Sequence, residues 1–297
     1  HEVLSTVTAI RSTAAILAET PDIDPDWRDR FHRNMAEESR RLAESAEALV
    51  RYLDEARSTE AAGSTPQEEF DSWLRAQGYH IADMERALPP RPETVAARAE
   101  ALKSAAGRAL AVRHLERYRR DAEHMPLGPF AEAALETGFD PAALAARFGV
   151  DLAAAFRRLA ALPKETVGGE IGLVACDGSG TLTFRKPIEG FALPRYSAAC
   201  PLWPLYQALS RPVTPVREVV EMGGRTPQSF LAYAVSQPSQ PAGFDGPQVL
   251  EAAMLVLPAD LVTLPGGRVN GIGTSCRICP RSGCAARREP SIMAETG

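Results

Sequence analysis

The chain has 297 residues, of which 45% are hydrophobic and 24% are charged, and its formal net charge is −5. This composition is ordinary for a globular protein, and the acidic balance argues against wholesale nucleic-acid binding by this part of the sequence. No run of about 18 apolar residues occurs, so no membrane-spanning helix is predicted. Because the chain begins at His1 rather than Met, we expect further sequence before it.

Residues 1–58 predict a helical hairpin. Apolar residues recur at three- and four-residue steps over 1–18, and again from Phe31 to Leu53 after a break at 19–27. Two such helices form an antiparallel pair whose apolar face needs a partner. The partner is either a second copy or another part of the same chain, and the sequence leaves both interpretations open.

The opening stretch HEVLSTVTAIRS resembles the phosphoacceptor box in the dimerisation hairpin of sensor histidine kinases, with His1 at the phosphoacceptor position. Two features depart from that family: Thr6 replaces the proline of the box, and nothing downstream resembles the ATP-binding domain. The resemblance therefore implies a dimerising hairpin. A phosphorelay through His1 is kept as an alternative function.

Residues 66–163 predict a helical domain, reached through the polar linker RSTEAAGSTP at 57–66. The stretch from Pro92 is rich in Ala and Arg and has few helix breakers. Near its end, two short helices are predicted on either side of Gly149. This order of elements resembles a helix-turn-helix. Because Ala-rich helix pairs are common, we do not assign DNA binding to this segment.

Residues 164–297 predict an antiparallel sheet with few helices, so the whole chain is predicted to be α+β. The turn Asp177-Gly178-Ser179-Gly180 lies between two β-rich runs and indicates a hairpin, and LWPLYQAL at 202–209 predicts a helix. Further strands are predicted at Val216–Val220, Phe230–Val235, Val249–Leu257 and Leu261–Leu264.

Three of the five cysteines stand close together, as Cys276-x2-Cys279-x4-Cys284. The odd count and the clustering favour a reducing, cytoplasmic setting and metal ligation over disulfides. A closed tetrahedral site needs a fourth soft ligand, for which Cys176 and Cys200 are the candidates. The spacing favours an iron–sulfur cluster over zinc, and zinc stays an alternative.

Four segments together resemble the short-chain fatty acyl-CoA regulator family, a family of transcription factors. The segments are ARFGVDLAAAFRRLAAL (146–162), VACDGSGTLTFRKP (174–187), CPLWPLYQAL (200–209) and GIGTSCRICPRSGCAARREP (271–290). The resemblance implies a homodimeric sensor that binds CoA or a short acyl-CoA such as propionyl-CoA. It also implies DNA binding through a helix-turn-helix domain absent from this chain.

The same resemblance implies a four-iron, four-sulfur cluster held by four of the cysteines. Its ligands are Cys200, Cys276, Cys279 and Cys284. Cys176 is then a thiol of the core or of the hairpin. The cluster is expected to be structural or redox-sensing rather than catalytic.

The phosphates of CoA require several Arg or Lys donors, with an apolar slot for the acyl group. Basic residues before and within the sheet part, with one aromatic residue that would stack on adenine or line the slot, are the candidates. They are Arg157, Arg158, Arg185, Lys186, Arg195 and Tyr196.

An enzyme is the rival class, either CoA-dependent or using an iron–sulfur centre, with Cys176 or Asp177 as the reactive group. The sheet part contains no His, so a Cys–His pair would need a His from the helical part. A zinc-peptidase motif is absent, because His1-Glu2 is followed by Ser5 where the second His is required. We therefore expect a protein without enzymatic activity.

Overall fold

The computed structural model describes residues 2–20, 23–60, 65–194, 198–223, 227–239 and 244–293, with residues 2–5 and 45–60 described by their backbone alone. The chain divides into two compact units, His1–Thr65 and Pro66–Gly297. In the described ranges, no helix is long and apolar enough to cross a membrane.

The first unit is the predicted helical hairpin. Helix α1 spans Glu2–Glu19, and helix α2 spans Pro25–Glu60. The two helices pack against each other. Most described side chains of α1 stay solvent-accessible, including Val7 and Ile16, so the pair alone leaves apolar surface uncovered. His1, the residue aligned with a phosphoacceptor, lies outside the described residues.

The second unit begins with helices, as predicted for residues 66–163. They are α3 (Pro66–Ala76), α4 (Pro92–Arg98), α5 (Ala105–His124), α6 (Leu127–Glu136), α7 (Pro141–Phe148), α8 (Leu152–Ala160) and α9 (Lys164–Val167), with a 3₁₀ turn at Ala82–Glu85. The caps of α7 and α8 follow from sequence. Asp140 and Asp151 accept bonds from backbone N–H groups of their first turns, and Gly149 ends α7 with φ of 64°.

The chain then forms one six-stranded sheet. Its strands are β1 (Gly172–Asp177), β2 (Leu182–Lys186), β3 (Val216–Met222), β4 (Gln228–Pro238), β5 (Leu250–Pro258) and β6 (Val269–Ile272), in the order β2-β1-β5-β4-β3-β6. Helix α10 (Pro204–Ser210) precedes β3. The hairpin predicted around Asp177 is the β1–β2 pair, and the helix predicted at 202–209 is α10.

Two details of the predicted sheet are wrong. The apolar run Leu261–Leu264 is a loop, because the chain turns at once after β5 and these side chains pack as loop residues beneath the helices. The last strand is β6, which lies parallel to β3, so the sheet is not wholly antiparallel. A four-residue strand containing Asn270 and Gly271 has too little alternation to be recognised from sequence.

The sheet separates two apolar cores. Side chains of β4 alternate between them: Leu231 and Val235 face the core shared with α6–α8, and Phe230 and Ala232 face the core shared with α10. Because α8 packs directly on β1 and β5, the predicted boundary near residue 164 does not separate two compact bodies. The helical part and the sheet form a single unit.

Candidate functional site

An apolar cavity of about 40 Å³ lies between α5, α8 and the sheet; we call it the central cavity. Its walls are mainly alanine, leucine and aromatic side chains, interrupted by three arginines and two acids. The lining residues are Tyr79, His114, Arg117, Tyr118, Asp121, Arg157, Arg158, Ala160, Ala161, Leu173, Ala175, Phe184, Glu251 and Ala253. One water needs roughly 10–15 Å³ of such space, so the cavity holds about three or four non-hydrogen atoms.

Each arginine of the central cavity is held by a carboxylate. Arg158 binds Glu85 through two bonds of 2.6 and 2.8 Å, and its Nε donates to the carbonyl of Met125 at 2.7 Å. Arg157 binds both oxygens of Asp121 at 2.7 and 2.8 Å. Nη1 of Arg117, on α5, lies 3.1 Å from both oxygens of Glu251, on β5.

The exposure of these pairs locates the mouth of the cavity. The side chain of Arg158 is 1% exposed, that of Arg157 22% and that of Arg117 34%. The partner of Arg117, Glu251, is 23% exposed, against 11% for Asp121 and for Glu85. The cavity therefore opens towards the Arg117–Glu251 pair and ends near Arg158.

Glu85 is the centre of a buried hydrogen-bond network. The hydroxyl of Tyr118 donates to Glu85 Oε1 at 2.5 Å, beside the two bonds from Arg158. Burial acts to raise the pKa of Glu85, but the hydrogen bonds and charge of Arg158 outweigh it, so the pKa lies below its usual value. Burial and the Glu85 charge raise the pKa of Tyr118, which stays a neutral donor.

His114 supplies the one imidazole in the wall of the central cavity. Its ring stacks on Phe184 at 5.7 Å between centroids, with an interplanar angle of 11°. Phe70 makes a T-shaped contact with it, and Tyr118 lies tilted beside it. Burial, with the charges of Arg117 and Arg157, lowers the pKa of His114 to about 3. The imidazole is therefore neutral at physiological pH.

The structure brings only part of the predicted basic cluster together. Arg157 and Arg158 line the central cavity, whereas Arg185 and Lys186 do not. Lys186 is buried and donates to the carbonyl of Ala160 at 2.5 Å, while Arg185 lies 3.6 Å from Asp71. Arg195 and Tyr196 lie outside the described residues.

Twelve of the fourteen lining residues were not among the predicted site residues, and they include Tyr79, His114, Arg117, Phe184 and Glu251. These five come from the turn after α3 and from α5, β2 and β5, so no local motif joins them. A signal existed for His114 alone, because it follows Ala111 at three residues on the buried face of α5 and precedes Tyr118 by four.

Four cysteines line a second, smaller cavity, which we call the cysteine pocket. They are Cys200, Cys276, Cys279 and Cys284, the four predicted ligands. The backbone N–H of Cys200 donates to the carbonyl of Thr274 at 3.0 Å, and Trp203 Nε1 donates to the carbonyl of Gly273 at 2.8 Å. These bonds tie the segment before α10 to the loop that follows β6.

Arginines hold the cysteine loop in shape by bonding its carbonyl groups. Arg287 donates to the carbonyls of Cys276, Cys279 and Arg281, and Arg288 donates to the carbonyl of Ala199 at 2.6 Å. The backbone N–H of Arg288 also points at Cys276 Sγ, 3.5 Å away. The arginines around the cysteines thus fix the backbone of the loop that carries them.

Gly273 allows the close approach of the two parts of the loop. A Cβ at this position would lie 2.8 Å from Cys279 Sγ, closer than side chains tolerate. Burial raises the pKa of Cys200, and the neighbouring Cys279 and Cys276 act in the same direction. A metal that takes this sulfur as a thiolate would release its proton.

The four thiols are a donor set that suits zinc or an iron–sulfur centre. In the conformation that the structure shows, the described residues contain no group of three or more His, Cys, Asp or Glu side chains arranged to hold a metal ion. Metal binding therefore stays a prediction.

Cys176 and Asp177, the candidate reactive groups of the rival enzyme hypothesis, occupy structural positions. Cys176 is fully buried in β1, and burial raises the pKa of its thiol to about 12. Such a thiol is a poor nucleophile. Asp177 accepts bonds from the backbone N–H groups of Ser179 and Thr181 and so closes the β1–β2 turn.

The sequence of the chain is similar to that of known transcriptional regulators. Residues 168–296 match the family model described as short-chain fatty acyl coenzyme A regulator, C-terminal. The chain is 32% identical over 201 residues to a propionyl-CoA carboxylase regulator of Cereibacter sphaeroides, covering 64% of this chain and 43% of that protein. It is 29% identical over 190 residues to the HTH-type transcriptional regulator PrpR of Mycobacterium tuberculosis, covering 60% and 38%.

A solved structure shares the fold. It is described as a Mycobacterium tuberculosis transcriptional regulator, and it aligns with a TM-score of 0.57 and 25% sequence identity over 78% of this chain and 72% of that one. The chain spans less than half the length of the two curated relatives.

Proposed function

We propose that the chain is the ligand-sensing part of a transcriptional regulator, because residues 168–296 match the model of the C-terminal region of the short-chain fatty acyl-CoA regulator family. Its effector is a short acyl-CoA of the propionyl-CoA kind, and the regulated genes are those of acyl-CoA metabolism. The observation that carries the proposal is the central cavity, whose small apolar interior suits a short acyl chain. The buried, inert Cys176 and the turn-forming Asp177 give no support to the enzyme hypothesis.

The size and wall chemistry of the central cavity support the acyl assignment. Room for about three or four non-hydrogen atoms matches the carbons and carbonyl oxygen of a propionyl group. The interior offers alanine, leucine and phenylalanine side chains, which give apolar contact but no anion site. The hydrophilic part of the ligand then lies outside the mouth, on the side of Arg117.

Contacts to the phosphates of CoA are proposed for basic residues outside the cavity. Arg185 and Arg195 stay candidates for these contacts, and Tyr196 stays a candidate for stacking on adenine or lining the acyl slot. Lys186 is buried and its ammonium group donates to the carbonyl of Ala160, so it is not available to a phosphate. Arg157 and Arg158 have a different role in this proposal: each guanidinium group makes two bonds to one carboxylate, that of Asp121 or Glu85, so they build the cavity wall.

We propose that Cys200, Cys276, Cys279 and Cys284 hold an iron–sulfur cluster of the four-iron type, with zinc as the alternative. The centre would bind the loop after β6 to the segment before α10, and an iron–sulfur centre would add redox chemistry. The convergence of these four thiols on one pocket supports the assignment. Iron, sulfide and zinc assays on protein purified without oxygen test it, with Cys200→Ser expected to lose the metal and Cys176→Ser expected to keep it.

The hairpin of α1 and α2 is proposed to form a homodimer by packing against the same hairpin of a second copy. Val7 and Ile16, 43% and 44% exposed, are apolar residues that the two-helix unit leaves uncovered. Two helices alone have little stability in water, and packing against a second pair would bury this apolar surface. DNA binding is proposed for a helix-turn-helix region outside this chain, in the cytoplasm.

Ligand binding would act on the dimer by a shift between two conformations. A ligand changes that balance only by its different affinity for the two states. The central cavity is suited to such coupling because its walls come from α5, α8 and the sheet, so filling it changes how helices pack on strands. Propionyl-CoA is therefore expected to change DNA affinity of the full-length regulator.

Thermal unfolding with and without ligand tests the sensor proposal. At a propionyl-CoA concentration of about 100 times Kd, binding stabilises the folded chain by about 2.7 kcal/mol. For a chain of 297 residues the midpoint would rise by about 4 °C. CoA without an acyl group and free propionate serve as controls. An unchanged midpoint at saturating propionyl-CoA would contradict the proposal.

A further inference from the structure

His114 stands out among the residues of the central cavity because its polar atoms are not engaged. Its described contacts are with three aromatic rings, those of Phe70, Tyr118 and Phe184. Among the hydrogen bonds of the described residues, none involves its ring nitrogens, although the ring forms part of the cavity wall. By contrast, Tyr118 and the arginines of the wall are all hydrogen-bonded.

The other polar groups of the wall are balanced in charge. Arg117, Arg157 and Arg158 each bind one carboxylate, those of Glu251, Asp121 and Glu85. The nearby ammonium group of Lys186 is directed at the carbonyl of Ala160 and the ring of Tyr79. In the described part of the wall, therefore, no cation is left to neutralise an incoming anion.

The protonation state of His114 fits an uncharged ligand group. Burial and the positive charges of Arg117 and Arg157 keep the ring neutral, so it offers one N–H donor and one acceptor nitrogen. A neutral N–H suits a carbonyl oxygen. An ionised carboxylate in the same place would lose its hydration and gain no opposite charge.

We propose that His114 positions the acyl group by donating a hydrogen bond to its carbonyl oxygen, and that the central cavity admits uncharged acyl groups but excludes those that end in a carboxylate. This inference rests on the proposed function, because it concerns the same ligand. It adds a recognition residue, His114, and a selection rule. Propionyl-CoA and acetyl-CoA satisfy the rule, whereas succinyl-CoA does not.

The geometry gives the hydrogen bond its specificity. Stacking on Phe184, the T-shaped contact with Phe70 and the tilted contact with Tyr118 restrict the plane of the imidazole, so its nitrogens are held in place before ligand arrives. A donor fixed in this way loses little side-chain entropy on binding. A ligand without a carbonyl oxygen gains nothing from it and still fits the apolar walls.

Calorimetric titration of the 297-residue chain with two ligands tests the inference. Propionyl-CoA carries the carbonyl oxygen, and S-propyl-CoA, its thioether analogue, does not. The wild-type chain is expected to bind propionyl-CoA about five- to ten-fold more tightly, the difference that one net hydrogen bond provides. In His114→Phe, which keeps a ring on Phe184, this preference is expected to disappear while S-propyl-CoA binds as before.

Two further ligands and one variant complete the test. Succinyl-CoA is expected to bind at least ten-fold more weakly than propionyl-CoA, and His114→Gln, which retains an N–H donor, is expected to recover part of the preference. Equal affinities of wild type for propionyl-CoA and S-propyl-CoA would overturn the role of His114. Equal affinities for succinyl-CoA and propionyl-CoA would overturn the selection rule. If neither propionyl-CoA nor S-propyl-CoA binds, the proposed function itself fails, and this inference with it.

Discussion

The Arg158–Glu85 ion pair closes the inner end of the central cavity, and its loss is expected to be costly. The side chain of Arg158 is 1% exposed, and it makes two bonds to Glu85 and one to the carbonyl of Met125. In Arg158→Met, Glu85 stays buried without its counter-charge. Breaking a buried pair in this way costs about 3–5 kcal/mol. For the unit Pro66–Gly297 the unfolding midpoint would fall by roughly 6–10 °C.

Chemical and thermal unfolding measure this loss, with a matched surface pair as control. Arg147 pairs with Glu136 where both side chains are about half exposed, so Arg147→Met is expected to cost at most about 1 kcal/mol. The double variant Glu85→Leu with Arg158→Met removes both charges and is expected to regain most of the lost stability. A loss below about 1 kcal/mol in Arg158→Met alone would refute the reasoning.

Three other predictions concern the imidazole, the cysteine loop and the hairpin. The pKa of His114 is about 3 in the folded chain and near 6.5 in the unfolded chain, so the unfolded chain binds one more proton between these pH values. The free energy of unfolding of the wild type therefore falls by about 1.4 kcal/mol per pH unit as the pH drops through this range. In urea unfolding, His114→Phe is expected to lack this pH dependence. Gly273→Ala places a methyl group against Cys279 Sγ and is expected to reduce metal content, whereas Gly169→Ala, whose methyl group meets Leu261 at 3.5 Å, leaves it unchanged. Ile16→Glu is expected to convert a dimer into a monomer in light scattering, and the exposed Glu37→Lys is not.

Local patterns sufficed for most of the fold. Two β-rich runs around a short turn at Asp177 predicted the β1–β2 hairpin, and caps at Asp140 and Asp151 explain why α7 and α8 begin where they do. The parallel pairing of β6 with β3 was missed because it depends on where a short, Gly-containing strand finds a partner. Such pairing is decided by tertiary contacts rather than by the four residues themselves.

The two candidate sites differ in how far sequence reveals them. The spacing of Cys276, Cys279 and Cys284 predicted that these three thiols belong to one site. The family resemblance added Cys200 as the fourth. The central cavity has no such mark, because Tyr79, His114 and Glu251 lie far apart in the chain. The burial of Arg158 was equally hidden, since its paired acid, Glu85, is distant in sequence and only the fold brings them together.

Binding of propionyl-CoA in the central cavity is the central claim, and a cavity-filling substitution tests it most directly. Ala253, on β5, lines the cavity, while its neighbour Ala252 is equally buried on the opposite face of the sheet. Calorimetry is expected to show one propionyl-CoA per wild-type chain, at least ten-fold weaker binding to Ala253→Leu, and unchanged affinity in the folded fraction of Ala252→Leu. Wild-type affinity in Ala253→Leu would contradict the account.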